Sequence, residues 1–328
     1  MTTTRLLRLL LLALLPLAAC ATDRQVIDQA NEAHRQIEPA VIEDPMLVGY
    51  LQELGGRIVV EAQQLSQARF GPKSHFKEDN SWMFSRATFH FVNSETLNAF
   101  TTGGDHMYIY TQLLQQCRTE DELAAVMAHE YAHVYARHVQ KGMNRQYLAL
   151  GGALVGGVLG YTLADDDKLE VAALAAVGTG ALLSFANKGF TRDDEAEADD
   201  LGFEFYARAG WDPARFGDFF QAMIDLGYDT TPELLSDHPS LKSRVAAAKA
   251  RAAGLPPEAS SWRRPPVAEG AKFAALQARA AQIAAALPKD QSLETAKTLL
   301  DAAANCLAPR DQPRQVEARA KIQAALGN

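Results

Sequence analysis

Residues 120–138 read EDELAAVMAHEYAHVYARH. Thr119 followed three residues later by Glu122 is the pattern of a capping box and predicts a helix start. Leu123, Val126, Met127 and Val134 keep a 3.6-residue period. On such a helix positions i and i+4 lie about 40° apart, so His129 and His133 share one face. Two imidazole nitrogens can then be directed at one ion. Glu130 lies beside that face, within reach of a water held there. His138, nine residues after His129, falls half a turn away and reads as a surface or supporting histidine.

Zinc used for catalysis takes a third protein ligand and an open position. The segment DDEAEAD, residues 193–199, offers Glu195 and Asp199 four apart on one face, with Glu197 on the other side. By itself this is an acidic helix start favoured by the helix dipole. Beside a second helix carrying HExxH, Glu195 becomes the candidate third ligand. Asp199, one turn on, becomes the acceptor for the second N–H of a ligand histidine. Thr191 is the expected N-cap of that helix and Gly210 its terminator.

The other elements frame these two helices. Residues 24–38 and 45–67 read as helices, the second with Leu47, Leu51, Leu54, Ile58 and Leu65 on one face. FGPKSHFKEDNS reads as a loop. ATFHFVNS alternates as a strand does. Two further strands, 97–101 and 106–111, flank the turn TGGD, so a small antiparallel sheet is expected beside the HEYAH helix. Helices are also expected at 213–226 and 241–252, with the turn SDHPS before the latter. Residues 146–187 are nearly free of charge, apart from DDDK and Glu170, with Gly152, Gly156 and Gly160 four apart. They read either as a Gly/Ala-rich helical hairpin packed on the protein or a membrane surface, or as two membrane-spanning helices. GLPPEASSWRRPP reads as a linker, and residues 267–328 as a short helical region without a clean repeat.

The N-terminus, MTTTRLLRLLLLALLPLAAC, has two arginines, a leucine-rich run and small residues before Cys20, the layout of a secretory signal peptide. Leu17-Ala18-Ala19-Cys20 resembles a bacterial lipobox, which implies cleavage before Cys20 and its lipidation. Ala21 after Cys20 favours sorting to the outer rather than the inner membrane. Acyl chains anchor firmly because each buried CH₂ contributes about 0.8 kcal/mol. Cys117 and Cys306 are left to pair or to stay free thiols, and two cysteines are too few for a cysteine-rich zinc site. A net charge of −8 with no basic tract sets nucleic-acid binding aside.

HEYAH followed by EAEAD resembles the HExxH…ExxAD signature of peptidase family M48, gluzincin zinc metallopeptidases of the HtpX and Oma type. LNAFTTGGDHMYIYTQLL, DELAAVMAHEYAHVYARH and DHPSLKSRV are similar to that family's edge hairpin, zinc helix and THP…R segment, so the resemblance spans about residues 45–250. With the lipobox and the helical C-terminal region, the resemblance is nearest to the family's periplasmic lipoprotein branch, BepA-like or LoiP-like. The resemblance implies an α+β, predominantly helical fold. It also implies one Zn²⁺ per subunit on His129, His133 and Glu195, with Glu130 as general base. His238 corresponds to the histidine of the THP segment, as transition-state stabiliser or as a fourth ligand closing a resting site. Arg244 is implied as a partner of Asp199 or an orienting residue, and the strand at Asn98, Ala99 and Phe100 as the rail for an extended substrate. The implied organisation is a signal peptide (1–19), a lipid-anchored tether and first helix (20–44), a metallopeptidase domain (45–252), a linker (253–266) and a C-terminal helical region (267–328).

The function so implied is an endopeptidase at the periplasmic face of the outer membrane. It would cleave unfolded or misassembled envelope proteins and work near the outer-membrane assembly machinery. A chaperone-like assembly factor with secondary proteolysis, and an inner-membrane protease spanning at 146–187, are the alternative expectations.

Overall fold

The computed structural model describes residues 21–71, 81–145, 190–227 and 240–286. Helix α1 (Asp23–Ile37) begins at a capping box in which Thr22 and Gln25 exchange hydrogen bonds. Helix α2 (Pro45–Phe70) starts behind Asp44, whose carboxylate accepts from the amides of Met46 and Leu47, with Pro45 at the position that has no helical N–H to lose. The face foreseen for it, Leu47, Leu51, Leu54, Ile58 and Leu65, is buried in the main core. A short turn of helix, α3 (Trp82–Ser85), leads into strand β1 (Thr88–Val92), followed by β2 (Ala99–Thr101) and β3 (His106–Tyr110).

The strand order is β1-β3-β2. The β2–β3 hairpin is antiparallel as expected, closed by a turn in which Gly103 has φ 82°, a conformation that favours glycine. The β1–β3 pair is parallel, Thr88 against His106 through Val92 against Tyr110, so the sheet is mixed rather than antiparallel. Alternation of side chains reports which face is buried and carries no information on strand direction. The chain leaves β1 through residues 93–98 and returns along the far edge, which places β3 between the other two.

Helix α4 (Thr111–Gln116) is followed by α5 (Glu120–Tyr135), which carries HEYAH through the middle of the core. Thr119 is its N-cap, but the capping box does not form. The Glu122 carboxylate instead accepts from the amide and Nε of Arg118, both at 2.7 Å. At the other end Arg137 takes a left-handed φ of 56°, and residues 138–145 set off as a separate helical stretch. That conformation disfavours an L-residue by roughly 1–2 kcal/mol. The buried pair of Arg137 with Asp23, which also accepts from Trp82 Nε1 at 2.9 Å, holds it there.

Helix α6 (Arg192–Arg208) forms a capping box between Thr191 and Asp194 and packs along α5. The 213–226 helix is divided into a 3₁₀ turn (Pro213–Arg215) and α7 (Asp218–Asp225), and α8 (Leu241–Ala253) follows.

The segment expected to be a linker is packed as a strap instead. It contains a 3₁₀ helix (Pro257–Trp262), and Arg264 N–H donates to Gly210 O. It ends with the amides of Val267 and Ala268 donating to the buried carboxylate of Glu120 at 2.7 and 2.5 Å. Helix α9 (Ala271–Ala286) then lies on α2 and α4, burying Phe273, Leu276 and Ala280. Apolar residues hidden among prolines and arginines carry no period, which is why the strap reads as a spacer in sequence. Among the described residues no helix is long and apolar enough to cross a membrane. Residues 146–187, Cys20, Cys306, most of the 72–81 loop and the chain beyond 286 lie outside the described residues. Cys117 is a buried thiol, pushed well above its ordinary pKa by burial and Glu122.

Candidate active site

Helices α5 and α6 approach unusually closely at Gly202. A Cβ there would sit 3.0 Å from the backbone N and Cα of His129. Glu195 lies seven residues before Gly202, two turns along the same face, so the close crossing is what carries its carboxylate to the histidines. His129 and His133 Nε2 are 3.1 Å apart, and each is 3.6 Å from one oxygen of Glu195. One ligand atom from each of the three lies within 4.8 Å of the others, and all three residues are buried. The structure thus brings together the three residues that the helical spacing singles out. Two imidazoles and a carboxylate, converging from two helices and open on one side to a cavity, fit the donor set of a catalytic zinc ion.

Asp199 supports this set from behind. Its carboxylate lies 2.9 Å from His129 Nδ1 and takes a two-pronged hydrogen bond from Arg244, Nε at 2.9 Å and Nη2 at 2.7 Å. Burial alone would raise Asp199, but the bonds from His129 and Arg244 outweigh it and hold the carboxyl well below the usual range. Arg244 also lies over the Phe220 ring, 3.9 Å from its centroid. Burial and Arg244 disfavour a proton on His129, yet Asp199 and Glu195 prevail and raise it to about 9. This spot therefore attracts positive charge. Burial and His129 keep His133 well below its ordinary pKa, hence neutral and able to donate a lone pair.

His138 does not sit at the surface. It is fully buried, with Nδ1 2.8 Å from His133 Nδ1 and Nε2 3.1 Å from Glu197. Counting nine residues along one helix fails because α5 ends at Tyr135 and the left-handed Arg137 turns the chain back. Of the two readings, the surface position is excluded, and the ring lies against His133. Glu197, as expected, faces away from Glu195 and pairs with His138 and Lys141. Phe190, which carries no sequence signal, stacks on His133 with centroids 3.8 Å apart.

The open side is a cavity of about 340 Å³. Its floor is His129, Glu130, His133 and Glu195, and one wall is the edge strand with Asn98, Ala99 and Phe100. Burial, reinforced by Glu195 and opposed by His129 and Arg244, raises Glu130 to about 7. A carboxylate at that value can both accept and release a proton near neutrality. His238 lies outside the described residues, whereas Arg244, six residues later, is at the site.

The profile described as Peptidase family M48 matches residues 73–252. The chain is 31% identical over 221 residues to "Beta-barrel assembly-enhancing protease" of Yersinia pestis, covering 66% of this chain and 41% of that one. It is 28% identical over 159 residues to "Metalloprotease LoiP" of Escherichia coli K12, 46% of this chain and 57% of that one. With "Mitochondrial metalloendopeptidase OMA1" of Arabidopsis thaliana it shares 32% identity over 153 residues, 47% and 29% of the two chains. It thus spans about two fifths of the length of the assembly-enhancing relative.

Proposed function

The chain belongs to peptidase family M48, and from that premise we propose that it is a zinc-dependent endopeptidase of the bacterial envelope that cleaves unfolded or misassembled proteins. The observation that carries this reading is the convergence of His129, His133 and Glu195 on the floor of a cavity walled by an edge strand. When bound, zinc supplies a Lewis acid that polarises the scissile carbonyl and lowers the pKa of water towards about 7. Glu130 takes the proton of the attacking water and delivers it to the leaving amine. Asp199 and Arg244 fix the orientation of the His129 ring during both transfers. The substrate lies extended along β2, whose outer edge has no strand partner among the described residues, and is recognised through its backbone. Such recognition depends little on side chains, which suits a protease that meets many unfolded sequences. His238 would either close the metal site at rest or donate to the developing oxyanion.

Lipidation at Cys20 would hold the enzyme at the periplasmic face of the outer membrane, near the assembly machinery. A second reading, an assembly factor in which proteolysis is secondary, draws on the printed name of the assembly-enhancing relative. Zinc analysis and casein degradation by the wild type and Glu130→Gln, side by side, test the proposal. Zinc in both proteins with cleavage in the wild type alone is the expected result. Equal cleavage by the two would remove Glu130 from the chemistry and the reading with it.

A further inference from the structure

Three other histidines converge on the side of the sheet covered by α1, and no step of the proposed peptidase chemistry uses them. His34 comes from α1, His90 from β1 and His106 from the first position of β3. The parallel register pairs Thr88 with His106 and His90 with Tyr108, so the two strand histidines occupy one face of the sheet. Phe89, Phe91, Met107 and Ile109 fill the buried face. One ring nitrogen from each histidine lies within 4.8 Å of the other two, and all three residues are half-buried.

The surroundings are those of a ligand set. His106 Nε2 faces only acceptors, Asn31 Oδ1 at 3.2 Å and Asp105 Oδ1 at 3.9 Å. The Asn31 oxygen favours a proton on Nε2, which puts a lone pair on Nδ1. His90 Nε2 approaches that lone pair to 3.0 Å, close to the roughly 3.3 Å edge of a nitrogen tetrahedron around zinc. The hydroxyl between them, Thr88 Oγ1, donates to Asp105 O at 2.9 Å and so presents only lone pairs to both rings. His34 Nδ1 is held by the Tyr108 hydroxyl at 3.0 Å, which leaves its Nε2 for a ligand.

Asp105 adds an independent sign. It is buried, its side chain 7% exposed, and Oδ2 pairs with Arg86 at 2.6 Å. Oδ1 is buried with no hydrogen-bond partner and is directed at His106.

We propose that His34, His90 and His106 form a second metal site for a borderline divalent ion, zinc first, which pins α1 to the sheet. Three imidazoles without a thiolate or a direct carboxylate suit Zn²⁺, Cu²⁺ or Ni²⁺ rather than Mg²⁺ or Ca²⁺. His34 and His106 stack in parallel, 4° between planes and centroids 4.0 Å apart. Their lone pairs therefore run side by side, and binding turns the His34 ring out of the stack towards the other two nitrogens. The site lies on α1, the helix that follows directly on the N-terminal anchor region, and its role is to clamp that helix. The inference does not rest on the proposed peptidase activity.

The test uses the untagged mature chain, stripped of metal, titrated with zinc and analysed for bound ions after dialysis. The wild type is expected to hold two zinc ions. Glu195→Ala is expected to hold one, and so is His34→Gln, which alters only a half-buried helix position. His34→Gln/Glu195→Ala should hold none. In the Glu195→Ala background, zinc should raise the melting temperature, and that rise should vanish with His34→Gln or His90→Gln. Asn31→Leu should weaken the second ion by about ten- to a hundredfold. Equal zinc content in the wild type and His34→Gln overturns the proposal. So does a wild type with one ion that Glu195→Ala removes, or a second ion that survives loss of His34, His90 and His106 in turn.

Discussion

Replacing Gly202 by alanine tests whether the closeness of α5 and α6 builds the metal site. The new Cβ would lie 3.0 Å from His129 N and Cα and 3.1 Å from Ala128 C, against about 3.4 Å for the near limit of ordinary contact. All three atoms are backbone, so no side chain can rotate away and the helices themselves must separate by some tenths of an ångström. Two effects on stability oppose each other. Removing glycine from a helix interior gains up to about 1 kcal/mol, whereas overpacking costs about 1–3 kcal/mol. The net is a loss of roughly 0–3 kcal/mol, which urea unfolding can read. The effect on function is larger. A misplacement of about 1 Å can lower a rate some hundredfold, so half that distance between Glu195 and the histidines should lower turnover and zinc affinity about tenfold each. Peptide cleavage and competition with a chelator measure the two. Gly56→Ala is the control, because Gly56 is an exposed position of α2 with nothing within 4 Å of a new Cβ. It should be neutral or stabilising by up to about 1 kcal/mol with full activity. A Gly202→Ala protein as stable and as active as Gly56→Ala would refute the reasoning.

Four further outcomes are expected. Glu130→Gln should keep zinc and lose about a hundred- to ten-thousandfold in cleavage rate, read under single-turnover conditions. Glu195→Ala should lose zinc by elemental analysis while Glu197→Ala keeps it, because Glu197 faces His138 and Lys141. Asp199→Ala removes the two-pronged partner of Arg244, which keeps only Glu195 at 3.8 Å, and should destabilise by about 1.5–3 kcal/mol, with zinc bound some ten- to a hundredfold more weakly. Glu120→Ala strands the donors of Tyr50, Trp211, Val267 and Ala268 and should lower unfolding stability by at least about 3 kcal/mol.

What was legible in the sequence had a short-range cause. His129, His133, Glu195 and Asp199 are read from i,i+4 spacing, and the Thr191 cap from a local exchange of hydrogen bonds. What was illegible depended on distant or competing partners. Glu122 matches a capping box, but Arg118, one residue before the N-cap, draws its carboxylate away. His138 leaves the site only if the helix continues, and the buried pair that stabilises the left-handed Arg137 joins residues 114 positions apart. The direction of β1 against β3 follows from the path of residues 93–98, which alternation does not encode. His34, His90 and His106 are scattered over three elements, and only the parallel register brings the two strand histidines to α1.

The strap that ends on Glu120 has a consequence for the order of folding. Glu120 opens the helix that carries His129 and His133, and its carboxylate is completed by amides 147 and 148 positions later. The family match stops at residue 252, before those amides. A nascent chain cut at that boundary contains every described residue at the candidate zinc site, yet leaves a buried carboxylate short of two donors. Contacts of such sequence separation close late, because the loop they close must first be ordered. That helix is therefore finished from the carboxyl end of the chain, and a chain released before Val267 would hold its candidate ligands on a helix whose opening carboxylate keeps Tyr50 and Trp211 but lacks the two backbone donors.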